Sequence, residues 1–194
     1  MDEKKYNNAI QLFDKANSRD PNSESVNEKD YPKELLYAMR MTKKLNQFEP
    51  NASESVKLAA RCQHICRWEI PRDSFEMNRN GYLTWRRELI QFHSIKASEI
   101  LKEVGYSEEI IHNVVFLLQK KQLKRNKETQ LLEDVICLTF LEFYFEKFSK
   151  KYSEEKLIDI IKKTWLKMSE KGRKSALGLN YKKKSKELIL RAIS

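Results

Sequence analysis

Apolar residues recur at helical spacing along most of this chain. Ala9, Ile10, Leu12, Phe13 and Ala16 form a first stripe. Asp20-Pro21 stops it, because proline restricts its predecessor and cannot extend an α-helical ladder. The polar stretch Asn22-Ser23-Glu24-Ser25-Val26-Asn27 reads as a mobile loop. Asp30 and Pro32 then introduce a second helix bearing Leu35, Leu36 and Met39, which Pro50 closes. Ser53 is placed to cap a third helix through Val56, Ala59, Ala60 and His64 to Trp68, ended by Ile70-Pro71. Residues 72–80 read as an excursion and Asn80-Gly81 as a turn, with no strand pairing needed.

From Tyr82, the positions Trp85, Leu89, Phe92, Ala97, Ile100, Leu101 and Val104 trace one long amphipathic helix, and Gly105 stands where a left-handed C-terminal residue is wanted. Ser107 caps a short apolar helix to about Leu118. Beyond the basic stretch 120–127, the run 131–148 is apolar on most faces and predicts the central buried helix of a bundle. Ser153 opens a further helix through Ile160 and Trp165, and shorter ones are expected around 174–179 and 184–193.

Composition supports an all-α fold. Four glycines and four prolines in 194 residues are too few for the frequent turns of a sandwich or barrel. The length fits one helical domain over residues 1–194, since a domain typically holds about 150 residues. The 40% hydrophobic content supplies a core despite 34% charged residues. No apolar stretch reaches the roughly 18 residues of a membrane span, and no signal-peptide core follows Met1-Asp2-Glu3-Lys4-Lys5. Cys62, Cys66 and Cys137 cannot all pair and form no C-x-x-C, so a reducing, cytoplasmic location is expected. The net charge of +10 is uneven: residues 1–60 are neutral overall, 61–130 carry +4 and 131–194 carry +6. That imbalance favours an anionic partner, nucleotide or nucleic acid, and a lysine-coated surface explains it equally well.

Some polar residues fall where burial is expected. Glu133 and Asp134 lie in the predicted central helix, where an ionised carboxylate needs a cation, metal or donor set. His64 and His93 stand on apolar helix faces. Two imidazoles with a carboxylate from separate helices suit a divalent transition ion such as Mn, Fe, Co, Ni or Zn. The alternative is a hydrogen-bonded core histidine at each position, with Asp134 or Glu133 paired to Arg61, Arg67 or Arg86. His112 points away from Ile111, Val114 and Val115 and is expected in solvent. Cys62 and Cys66 share a face that His64 opposes, which disfavours a Cys/Cys/His zinc cluster and makes the thiols core fillers. Arg67, Arg72 and Arg79 surround a Trp68-Glu69-Ile70-Pro71 turn, with Arg86 and Arg87 following. Guanidinium forks suit phosphate; salt bridges to Asp73, Glu76 and Glu88 are the alternative.

The segments His64-Ile65-Cys66-Arg67-Trp68-Glu69-Ile70-Pro71-Arg72, Gly81-Tyr82-Leu83-Thr84-Trp85-Arg86, Phe92-His93, Leu132-Glu133-Asp134-Val135 and Lys163-Thr164-Trp165-Leu166-Lys167-Met168-Ser169 together resemble an uncharacterised family of about this length. It is catalogued as a domain of unknown function, and some eukaryotic members are labelled glutamyl-tRNA synthetase-like. The H-I-G-H and K-M-S-K-S pair of a synthetase is not found in this sequence. A more distant resemblance is to the HD superfamily of helical metal-dependent phosphohydrolases. It rests on His93-Ser94-Ile95-Lys96-Ala97-Ser98-Glu99-Ile100-Leu101, on Leu58 to His64 and on Asp134. Ile65 replaces the aspartate of the superfamily's dyad, and its earlier histidine is missing around residues 37–41.

The resemblance implies an HD-like helical bundle that hydrolyses a phosphorylated small molecule or nucleotide. His64, His93 and Asp134 would hold the metal, whose bound water becomes a nucleophile near neutral pH. Glu133 and Asp134 would serve the catalytic step, and Arg67, Arg72, Arg86 and Lys120 would hold phosphate. A non-enzymatic nucleotide- or RNA-binding protein is the alternative, using Lys162, Lys163, Lys167, Lys171, Arg173, Lys174 and Lys182 to Lys184 on phosphates. Trp165 and Tyr181 alone would be available there for base stacking.

Overall fold

The computed structural model describes residues 2–194. It is predominantly helical, as the apolar spacing predicts, with ten α-helices and one short hairpin among the described residues. No helix in that range is long and apolar enough to cross a membrane. The helices gather into two compact units, residues 1–121 and 122–194.

In the first unit, α1 (Glu3–Asn17) starts where the Asp2 carboxylate accepts the Lys5 N–H. The expected mobile loop is instead an antiparallel hairpin, β1 (Ser23–Val26) with β2 (Lys29–Pro32), in the register Ser23↔Pro32 to Val26↔Lys29. Its turn residues Asn27 and Glu28 both have positive φ, 49° and 63°, the twist that matches a two-residue hairpin. Side chains outside the strands hold it. Arg40 reaches Glu24 at 2.8 Å, and Asp20 accepts the N–H groups of Asn22 at 2.9 Å and Glu34 at 3.0 Å. Asp20 thereby substitutes for the missing side-chain cap of α2 (Lys33–Phe48), whose preceding Pro32 offers none.

Ser53 caps α3 (Glu54–Cys62) as expected, but this helix ends six residues before Trp68. The break is at Cys66, whose φ of 52° is left-handed and whose N–H is held by the Asn17 side chain at 3.0 Å. Two short 3₁₀ turns, Arg67–Glu69 and Arg72–Ser74, lead into α4 (Arg79–Val104). Asn80-Gly81 lies inside the first turn of α4, because Asn78 caps the Gly81 N–H at 2.8 Å. Gly105 ends α4 at φ 84°, and Ser107 caps α5 (Glu108–Leu118). Phe13, Met41, Leu45, Leu58, Ile65, Leu101 and Leu117 fill the core of this unit.

In the second unit, Asn126 caps α6 (Lys127–Thr139). The apolar run 131–148 is not one regular helix: a wider π turn over Phe140–Tyr144 separates α6 from α7 (Phe145–Ser149). Residues five apart diverge by about 140° on a regular helix, and the wider turn brings Phe140 and Phe145 edge to face at 6.0 Å. The chain continues through α8 (Glu154–Lys167), α9 (Glu170–Leu177) and α10 (Lys183–Ile193). Leu132, Leu138, Phe145, Ile161 and Met168 are its largest fully buried side chains.

Candidate functional site

The first unit gathers two imidazoles and a carboxylate. His93, on α4, is 5% exposed. His64, in the turn after α3, lies with its ring centroid 5.9 Å from that of His93. It also stacks on Tyr37 of α2 at 4.0 Å with an interplanar angle of 14°. Glu34, in the first turn of α2, brings Oε2 to 3.3 Å from His64 Nδ1. Sequence reasoning missed Glu34, although Glu34, Tyr37, Ala38 and Met41 form a helical stripe in which all four are buried. A carboxylate on that stripe is the signal that could have found it.

The protonation of His93 follows from its partners. Its Nδ1 is 2.8 Å from the Ile65 carbonyl oxygen, which can only accept, so Nδ1 carries the hydrogen. Burial, then the neighbouring His64 and Arg67, bring His93 down to about 3, against the opposing pull of the Ile65 bond and Glu34. The ring is therefore neutral at physiological pH, and Nε2 is a buried lone pair without a hydrogen-bond partner. His64 is also held well below its ordinary range, first by burial and then by Arg67, Arg86, Lys120 and Lys33. Burial raises the Glu34 carboxyl, while Arg67, Lys33 and His93 oppose the rise.

Four cations thus act on one neutral imidazole, and three of them, Arg67, Arg86 and Lys120, are among the residues expected to hold phosphate. The fourth expected cation, Arg72, differs. Its guanidinium donates to the carbonyls of Phe75, Glu76 and Asn78 at 3.0, 2.7 and 3.3 Å. Those bonds close the loop before α4 and use three of its five N–H donors.

Glu133 and Asp134 are buried as expected, but they belong to the second unit. Asp134 accepts the Ser169 N–H at 2.8 Å, the Ser169 hydroxyl at 2.5 Å and the Gln130 amide at 3.1 Å. Ser169 is itself the cap of α9, so the carboxylate anchors a helix N-terminus, a favourable place for negative charge. Lys167 Nζ lies 3.9 Å from Glu133. In the first unit Arg61 binds Asp14 and Arg67 approaches His64 at 3.4 Å.

Among the described residues no group of three or more His, Cys, Asp or Glu side chains is placed to hold a metal ion. The metal set that the HD resemblance implies draws His64 and His93 from the first unit and Asp134 from the second, where its oxygens accept from Ser169 and Gln130. Cys62 and Cys66 are buried free thiols. Burial raises both, Cys66 to about 11 with help from Glu69, which disfavours the thiolate. His112 is exposed.

A family model described as a domain of unknown function, DUF4202, matches residues 7–189. The chain belongs to the DUF4202 family. No curated protein and no solved structure matches it. The DUF4202 match spans both units. The motif segments that carried the family resemblance hold His64, Arg67, Trp85 and His93 in the first and Asp134 and Ser169 in the second. The basic residues of the C-terminal third are partly neutralised within it, Lys163 by Asp159 at 2.7 Å and Lys182 by Glu146 at 2.7 Å. Arg191 pairs with Glu154.

Proposed function

We propose that the first unit binds the phosphate of a small molecule or nucleotide beside Glu34, His64 and His93, and that it assists hydrolysis of the phosphoester. The observation that carries this reading is the unpartnered Nε2 of a neutral, buried His93, close to a second imidazole on which Arg67, Arg86, Lys120 and Lys33 act. A phosphate held by these cations gains charge-assisted hydrogen bonds. In the reaction, water adds to phosphorus, the bond to the leaving oxygen breaks with its electron pair, and Nε2 takes the proton of the attacking water and returns it to the leaving oxygen. An imidazole at about 3 is a weak base by itself. The negative charge of a bound phosphate raises it, so the ligand completes its own base.

Isothermal titration of the 194-residue chain with orthophosphate, adenosine monophosphate and adenosine tests the binding. Both phosphates should bind and weaken steeply with salt, adenosine should not bind, and Arg67→Met and His93→Gln should each reduce affinity. Phosphate release from adenosine monophosphate, abolished in His93→Gln, reports the hydrolysis. Failure of either phosphate to bind overturns the reading.

A further inference from the structure

We propose that Trp85 is a positioning residue that fixes the Arg67 guanidinium beside His64, an inference that rests on phosphate being bound there. Arg67 opens the 3₁₀ turn Arg67–Glu69. Its guanidinium carbon lies 5.0 Å from the centroid of the Trp85 ring, and its Nη1 lies 3.4 Å from His64 Nδ1. Among the described residues it closes no salt bridge with a carboxylate, although its charge acts on the Glu34 carboxyl.

The ring that carries Arg67 is fastened to the turn that bears Arg67. Trp85 is 7% exposed, and its indole N–H donates to the Ile70 carbonyl at 2.9 Å. Two further bonds hold the same turn: Ile65 to His93 at 2.8 Å and Cys66 to the Asn17 side chain at 3.0 Å. The second arginine near the indole, Arg72 at 5.9 Å, is committed to backbone carbonyls. The two guanidiniums therefore divide their work, Arg72 closing the loop and Arg67 remaining available.

An arginine ordered before its ligand arrives loses less rotamer freedom on binding. The indole face supplies that order by cation–π attraction, an interaction strongest for tryptophan. The Gly81-Tyr82-Leu83-Thr84-Trp85-Arg86 and Arg67-Trp68-Glu69-Ile70-Pro71-Arg72 segments thereby form one device in which the first holds the second.

The test is a double-mutant cycle in the full 194-residue chain, with inorganic pyrophosphate as titrant and circular dichroism as the check on folding. Arg67→Met should weaken binding by about tenfold, and Trp85→Leu by roughly threefold to tenfold. The double variant should bind no more weakly than Arg67→Met alone, because the ring acts only through the guanidinium. Equal losses from Trp85→Leu in the presence and absence of Arg67 would mean a general structural effect and overturn the inference. If Trp85→Leu does not fold, the cycle is run with Trp85→Phe, which keeps a ring face and gives up the bond to Ile70. A loss confined to the Arg67-containing protein supports the inference, and an equal loss in both backgrounds overturns it. Absence of pyrophosphate binding to the wild type overturns the phosphate reading and this inference together, an outcome distinct from normal binding with additive losses.

Discussion

Lowering the pH should destabilise the first unit through His93 in particular. In the unfolded chain this imidazole titrates near its ordinary 6.5, and in the folded protein at about 3. Between those values the unfolded state binds the extra proton, so stability rises with pH and is lost as pH falls below about 6.5. Integrating from pH 7.5 to pH 5 gives a loss of about 2 kcal/mol from this residue. With a urea slope of roughly 1–3 kcal/mol/M, the midpoint should fall by about 1 M. His64, also held low by burial and four cations, adds to the loss. Glu34, raised by burial, acts in the opposite sense and offsets part of it. The decisive quantity is therefore a difference: urea midpoints at pH 7.5 and pH 5 for the wild type and for His93→Gln, which removes the titrating ring. The wild type should lose about 2 kcal/mol more than the variant across this interval. Equal losses in the two proteins would refute the neutral, buried state on which the proposed chemistry stands.

Three more consequences concern the second unit. A Cβ at Gly172 would stand 2.5 Å from Asp134 Oδ1, so Gly172→Ala should lower the melting temperature, at a cost of about 1–3 kcal/mol typical of overpacking. Asp134→Ala should cost a similar amount by leaving Ser169 without its acceptor, measured in the same thermal melts. Replacing Lys182, Lys183 and Lys184 with Glu should leave retention on RNA at low salt unchanged, because on the proposed reading the anion site lies in the first unit. A marked loss of retention would favour the RNA-binding alternative.

The parts of this fold that could be read from the chain are those decided within one or two helical turns. Ser53, Ser107 and Ser153 cap the helices that follow them, Gly105 takes the left-handed position that ends α4, and the apolar stripes set the buried faces. What could not be read is held across longer separations. Strands of the composition Ser-Glu-Ser-Val and Lys-Asp-Tyr-Pro carry little β-forming signal. They pair because Asp20 and Arg40 hold their ends and flank. The end of α3 is likewise invisible locally, since a left-handed cysteine is costly and is held by Asn17, forty-nine positions away.

The same division governs the candidate site. His64 and His93 could be picked out because an imidazole interrupts an apolar pattern, and their rings do approach each other. Asp134 interrupts its pattern in the same way, yet its oxygens are taken by a serine thirty-five residues later that caps another helix. A buried carboxylate announces only that something compensates it. A cap supplies that compensation with neutral N–H and O–H donors, and a site supplies it with cations or a ligand, and periodicity does not distinguish the two. Glu34 shows the converse. It sits three residues before Tyr37 on a buried face, where its neighbours Leu35 and Leu36 give the local sequence a purely apolar pattern. Its burial, with cations and His93 acting on it, makes it the carboxylate whose charge state the site controls. Substitution there should accordingly alter ligand binding, whereas substitution at Asp134 should alter stability. That contrast follows from which donors surround each group, since both carboxylates are almost equally hidden from solvent.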